Sequence, residues 1–219
     1  MGHSTGCQDC LEYATRFLLD GDRGGRAEGT AEGEKEEEEE AGEEEEWKRE
    51  RRVDGIVLQG PVSDREAIGM SEDAGEVEAS LRVAKRMVEE GRGADVMRKE
   101  DLPAGWRGVP VTAERWASLA GVGGADDYFS SDLDDEKLKT IWGRLEQPVL
   151  ILPSERDEWV PETIDVAGMV SKWKSFCKPG IASELSGLIP GAKHTVDDPE
   201  GQKWLADRVA AFLAEIEKQ

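Results

Sequence analysis

The chain has 219 residues, 37 % of them apolar, and a formal net charge of -21. That length suffices for one domain with a real core, and the acidic balance argues against non-specific binding to nucleic acid or to an anionic membrane surface. Segment Glu28–Glu46 alone holds 12 Glu against one Lys, so the rest of the chain is only moderately acidic.

Three cysteines, Cys7, Cys10 and Cys177, make no disulfide framework. No signal peptide opens the chain and no apolar run reaches transmembrane length. A reducing, cytoplasmic setting is the expectation, with no membrane partner and no nucleic-acid partner. Oligomeric state is not legible.

Gly2-His3-Ser4-Thr5-Gly6 reads Gly-x-Ser-x-Gly, the pattern of a sharp strand-to-helix turn with an exposed serine at its apex. The glycines on either side let the turn and its neighbours approach closely. Cys7 to Leu19 follows with helical spacing of its apolar residues. Gly24 to Glu46 is too charged and too poor in apolar residues to fold, and reads as a disordered acidic insertion in the domain.

Order resumes at Val53. Val53–Gln59 is a short apolar run ended by Gly60-Pro61, as a buried parallel strand is. Val62-Ser63-Asp64-Arg65-Glu66 then falls where the strand's end meets a crevice. Glu76–Glu90 is a helix with Val77, Leu81, Ala84 and Val88 on one face. Thr112 caps a short helix carrying Trp116 and Leu119, and Gly121–Gly124 breaks it. Asp134–Leu145 is another helix. Pro148–Pro153 is the second buried strand. Pro161 suits the first turn of the helix that presents Ile164, Met169, Val170 and Trp173. Ser183–Ile189 is a weakly patterned third strand, and Pro199–Glu217 the last helix, with Trp204, Leu205, Val209, Phe212, Leu213 and Ile216 turned inward. Alternating strands and helices imply an α/β fold, a parallel sheet with helices on both faces.

A serine hydroxyl needs a base to take its proton, and the base needs an acid to hold its tautomer. Of the two histidines, His3 lies inside the turn and its side chain should point elsewhere. His194 lies in a loop after the last strand, and Asp157 in a loop after Pro148–Leu152. The order Ser4, Asp157, His194 is the order expected for such a turn in a parallel sheet, and all three gather at one sheet edge. Glu155, Glu158, Asp197 and Asp198 compete with Asp157 for the acid role. The Thr5 backbone N–H supplies half of an oxyanion hole. Cys7-x-x-Cys10 reads as small core residues rather than a metal or redox pair, since no second ligand pair accompanies it. No cofactor and no metal are expected.

Gly2–Asp9, Leu58–Glu66, Asp127–Leu133, Ser154–Pro161 and Ile189–His194 together resemble a fungal and plant family of α/β-hydrolases of the DUF1749 type, which includes siderophore esterases acting on fusarinine-type esters. The resemblance covers the chain apart from the Glu-rich insertion. It implies an α/β-hydrolase fold, a small-molecule ester substrate, Ser4 as nucleophile, Asp157 as acid and His194 as base. It also implies a cap within about 61–145, with Trp116, Tyr128 and Phe129 either lining the acyl or alcohol pocket or serving as cap core. Family members carry strands, a helix and an oxyanion loop ahead of the serine turn. The chain therefore reads as a partial hydrolase domain over 1–219, a fragment or a mispredicted gene start, in which Met1 is an internal methionine. On that reading the full-length parent is the serine esterase, and this chain alone is inactive or poorly folded. Two alternatives stand beside it: an interaction protein whose acidic insertion binds a basic partner, and a thioesterase, lipase or peptidase on the same fold.

Overall fold

A computed structural model describes residues 1–15 and 52–218. The acidic insertion and residues 16–19 of the first expected helix lie outside the described residues. The sheet is parallel, with strands β1 (Gly2–His3), β2 (Ile56–Gln59) and β3 (Val149–Leu152) in that spatial order. Ile56 pairs with Val149 and Gln59 with Leu152, while Gly2 pairs with Leu58.

Every residue of β2 and β3 is buried, as expected of a sheet covered on both faces. Their side chains alternate. Ile56, Leu58, Val149 and Ile151 enter one core, which also holds Leu11, Phe129, Trp142 and Trp173. Val57, Leu150 and Leu152 enter another, which holds Ile189 and Phe212. Helices α1 (Gly6–Glu12), α5 (Asp135–Ile141) and α6 (Val166–Phe176) thus cover one face, and α7 (Pro199–Ile216) the other. Cys7 and Leu11, with Ala14 in the turn just past the helix, are fully buried at helical spacing and seat α1 on the sheet.

Between β2 and α5 the chain builds a third core from α2 (Asp64–Ser71), α3 (Ala74–Glu89) and α4 (Ala113–Ala120). Trp116 is its largest buried side chain, edge-on to Trp106 at a centroid distance of 5.0 Å. From Tyr128 onward the chain rejoins the main core.

Ser63, Asp73, Thr112, Asp134, Asp165 and Asp198 each accept a backbone N–H three residues ahead and so cap α2 to α7. Thr5, ahead of α1, makes no such bond.

Several expectations are corrected. Ser183–Ile189 is not a strand. Its backbone meets β3 intermittently: Ser183 N donates to Val149 O and Gly187 N to Ile151 O, but the Ile151 N–H goes to the Ser186 hydroxyl at 3.0 Å, and the isolated bridges at Ala182 and Ile189 lie at the ends of the segment. Pro161 precedes a turn rather than opening α6, which Asp165 starts one turn later. Along α7 only Phe212 among the named apolar residues is fully buried, and Leu213 is half exposed. Helix α2 was not anticipated, although Ser63-x-x-Glu66 is a helix-start signal.

Candidate active site

Ser4 leaves β1 with φ of 54°, a left-handed conformation that costs a non-glycine residue about 1–2 kcal/mol. The turn is held because Ser4 N donates to Gln59 O at 3.2 Å and Cys7 N to Ser4 O at 2.9 Å. The two glycines of the motif are not equivalent. A Cβ on Gly2 would lie 2.1 Å from Gly6 O, whereas one on Gly6 would meet nothing. Only Gly2 is demanded by close approach. Beneath the turn the buried Cys7 thiol reaches the carbonyls of Gly2 and Gln59, each at 3.3 Å, and burial pushes its pKa far up. That thiol packs the turn in its protonated form.

The loops after β3 and before α7 meet at the same sheet edge. Asp157 Oδ2 lies 2.8 Å from His194 Nδ1, with both side chains buried. Asp157 Oδ1 accepts the Trp159 N–H at 3.0 Å. An ionised carboxylate only accepts, so the hydrogen belongs on Nδ1 and the lone pair on Nε2. The other candidate acids act elsewhere. Glu155 accepts the Gly191 N–H at 2.6 Å and Glu158 the His194 N–H at 3.0 Å. The bond from the His194 backbone holds the Glu158 carboxyl below its ordinary pKa. Asp198 caps α7, and Asp197 offers its backbone carbonyl to Gln202.

Gln59 ties Ser4 to this pair: its carbonyl receives Ser4 N and its amide donates to His194 O at 3.2 Å. His3 turns toward His194 rather than away. Its Nε2 is 3.3 Å from His194 O, and the rings are 4.8 Å apart. Gly60, at φ of 58°, passes so close that a Cβ would sit 3.3 Å from His194 Nδ1. Val196, two residues past the histidine, is also left-handed at φ of 51°. Backbone strain of this kind persists only where surrounding structure over-determines it.

A cavity of about 400 Å³ opens beside Ser4, walled by Val62, Asp64, Ile68 and Glu72 with Trp106 and Trp159. Asp157 and His194 are not part of its lining. Nor are Trp116, Tyr128 and Phe129, all of them buried. Trp116 is core of the α2–α4 layer, as the cap-core alternative has it, whereas Tyr128 and Phe129 belong to the core of the sheet layer and are neither cavity lining nor cap core. The aromatics that do line the cavity, Trp106 at the end of the short 3-10 helix Ala104–Trp106 and Trp159 in the loop after β3, carry no periodicity that would mark them. Gln8 donates to Asp64 at 2.6 Å, and burial raises the Asp64 pKa. Among the described residues no group of three or more His, Cys, Asp or Glu could hold a metal ion.

The family model described as "Protein of unknown function (DUF1749)" matches residues 1–214. This chain belongs to that family. A UPF0613 protein of Schizosaccharomyces pombe is 30 % identical over 97 % of this chain and 62 % of its own length. Esterase AN6793 of Emericella nidulans is 30 % identical, covering 99 % of this chain and 65 % of its own length. Fusarinine C esterase sidJ of Aspergillus fumigatus is 28 % identical over 100 % of this chain and 66 % of its own length. The solved structure of siderophore hydrolase EstB from Aspergillus fumigatus superposes with a TM-score of 0.66 at 27 % identity, covering 99 % of this chain and 65 % of that one. The fold is therefore that of an α/β-hydrolase. The chain spans just under two thirds of the length of these three relatives. Among the described residues no helix is long and apolar enough to cross a membrane.

Proposed function

We propose that Ser4, Asp157 and His194 form a catalytic triad that hydrolyses carboxylic esters through an acyl-enzyme. The observation that carries this reading is the buried 2.8 Å contact between Asp157 and His194 Nδ1 at the sheet edge where Ser4 stands in a left-handed turn. Ser4 Oγ attacks the ester carbonyl as its proton passes to His194 Nε2, and the tetrahedral oxyanion forms. Collapse breaks the ester C–O bond, and the proton on Nε2 goes to the departing alcohol. Water then attacks the acyl-Ser4 carbonyl, giving its proton to Nε2. Collapse of the second intermediate releases the acid and returns the proton to Ser4. Asp157 stays ionised and holds the ring in the Nδ1–H tautomer throughout.

The Thr5 N–H, on the residue that follows the nucleophile in the turn, serves as one oxyanion donor in this reading. The layer of α2 to α4 acts as a cap over the substrate cavity. The relatives supply the substrate class. Two are called esterases, one of them for fusarinine C, and a solved homologue is called a siderophore hydrolase. The proposal extends to ester bonds of a fusarinine-type siderophore.

Matched oxygen ester, thioester and amide substrates, with fusarinine C beside them, test this reading. Hydrolysis of the oxygen esters that disappears in Ser4→Ala is the expected result. Turnover that survives Ser4→Ala contradicts it, and preferential cleavage of the thioester or amide reassigns the reaction.

A further inference from the structure

The cavity beside Ser4 has a chemical character of its own. Among its lining residues none is Lys, Arg or His, while Asp64 and Glu72 are acidic and Trp106 and Trp159 present indoles. Glu72 is committed, because its Oε2 accepts the Gly105 N–H at 3.1 Å. Asp64 is not. Its Oδ2 takes the Gln8 amide at 2.6 Å, but Oδ1 has no hydrogen-bond partner among the described residues and is not sealed from solvent. Arg115, the cation whose field reaches Asp64, is ion-paired to Asp126. A half-buried carboxylate with an open oxygen, sharing its cavity with two indoles and with no counter-ion among the lining residues, is complementary to a cation. It disfavours an anionic or purely apolar group at the same place.

We propose that this cavity receives an ammonium group carried by the ester substrate, with Asp64 Oδ1 as its acceptor, and that Asp64 is the residue setting this specificity. The inference rests on the reading of Ser4 as nucleophile only insofar as the bound molecule is an ester to be cleaved. Gln8 fixes the carboxylate from behind, and Trp106 and Trp159 flank the cation. Charge-assisted pairing in a partly desolvated site is worth at least about tenfold in affinity over a neutral group of the same size.

The test uses the full chain and two readouts. The first is kcat/KM for p-nitrophenyl 6-aminohexanoate against p-nitrophenyl heptanoate, which match in size and differ in charge. The second is calorimetric binding of hexylammonium against 1-hexanol to Ser4→Ala, where no turnover intervenes. The expected result is an advantage of about tenfold or more for the ammonium compound in each. In Asp64→Asn that ratio falls to near one. Because the ratio is internal to each protein, a general loss of activity in the variant does not mimic it. Where Asp64→Asn fails to fold, the same ratios in Asp64→Ser carry the test of the acceptor. Equal binding of hexylammonium and hexanol overturns the proposal, as does an ammonium advantage that persists in Asp64→Asn. Preferential ammonium binding with neither ester cleaved supports the cation site and removes the Ser4 reading. Ser4-dependent cleavage of both esters without an ammonium advantage does the reverse.

Discussion

Two polar networks tie loop to loop in this molecule. The first joins the loop after β3 to the loop before α7, through Glu155 with Gly191 N, Arg156 N with Ala192 O, Asp157 with the His194 ring and Glu158 with His194 N. The second joins the start of α2 to residues 127–132. There Arg65 bonds Asp127 at 3.0 Å and also Asp132, Ser63 meets Ser130 at 2.6 Å, Ser130 bonds Asp127, and Glu66 accepts from Ser131 N. In the second network the named donors and acceptors satisfy one another. In the first, the bonds converge on a histidine whose Nε2 has no hydrogen-bond partner among the described residues. A buried polar cluster signals chemistry when it fixes a reactive atom and leaves that atom free. Without such an atom it is a clamp.

Substitutions that remove the free atom separate the networks most sharply. His194→Ala lowers kcat/KM for a Ser4-dependent ester by about 10⁴-fold, measured on protein shown by circular dichroism to be folded. Arg65→Met breaks the other network and strands the buried Asp127 carboxylate. It costs about 2–4 kcal/mol in urea denaturation, while hydrolysis per folded molecule stays within about twofold. A larger loss of activity than of stability in Arg65→Met would erase the distinction between the two clamps.

Gly60→Ala tests the first network without deleting a member of it. The added Cβ presses on His194 Nδ1, and the positive φ of 58° strains any side chain. Stability falls by about 1–2 kcal/mol and kcat/KM by about tenfold or more, because the ring is displaced. Glu158→Gln gives the smallest effect. The Glu158 carboxyl has its pKa lowered by the His194 backbone bond. Its contribution to stability is present above the unfolded value of about 4.3 and is lost as pH falls through the depressed folded value. The stability difference between native and Glu158→Gln is therefore visible near neutrality and closes in acid, as paired urea titrations across that range measure.

Part of this was legible in the sequence because local chemistry dictates it. The apolar runs at Ile56–Gln59 and Val149–Leu152 are buried strands, and Thr112 caps the helix after it. The meeting of Asp157 with His194 was legible from the chain order Ser4, Asp157, His194, although only Asp157 follows a strand and His194 follows the isolated bridge at Ile189. What was not legible depends on tertiary contact. Trp116 and Trp106 look alike in the sequence, yet the first is fully buried and the second lines the cavity. Ser183–Ile189 pairs with β3 through a serine hydroxyl as well as its backbone, which no alternation reports. Asp64 and Gln8 lie on separate elements 56 residues apart, so their pairing carries no spacing signal. The equivalence of Gly2 and Gly6 in the motif also dissolves only when the approach of Gly6 O is known.

The proposed chemistry stands or falls with Ser4 as an activated nucleophile. Intact-mass analysis of the purified chain after exposure to a fluorophosphonate probe, run beside Ser4→Ala, tests it most directly. A single covalent adduct that is absent from Ser4→Ala is the expected result. An unlabelled native chain, or an adduct that persists when Ser4 is replaced, contradicts it.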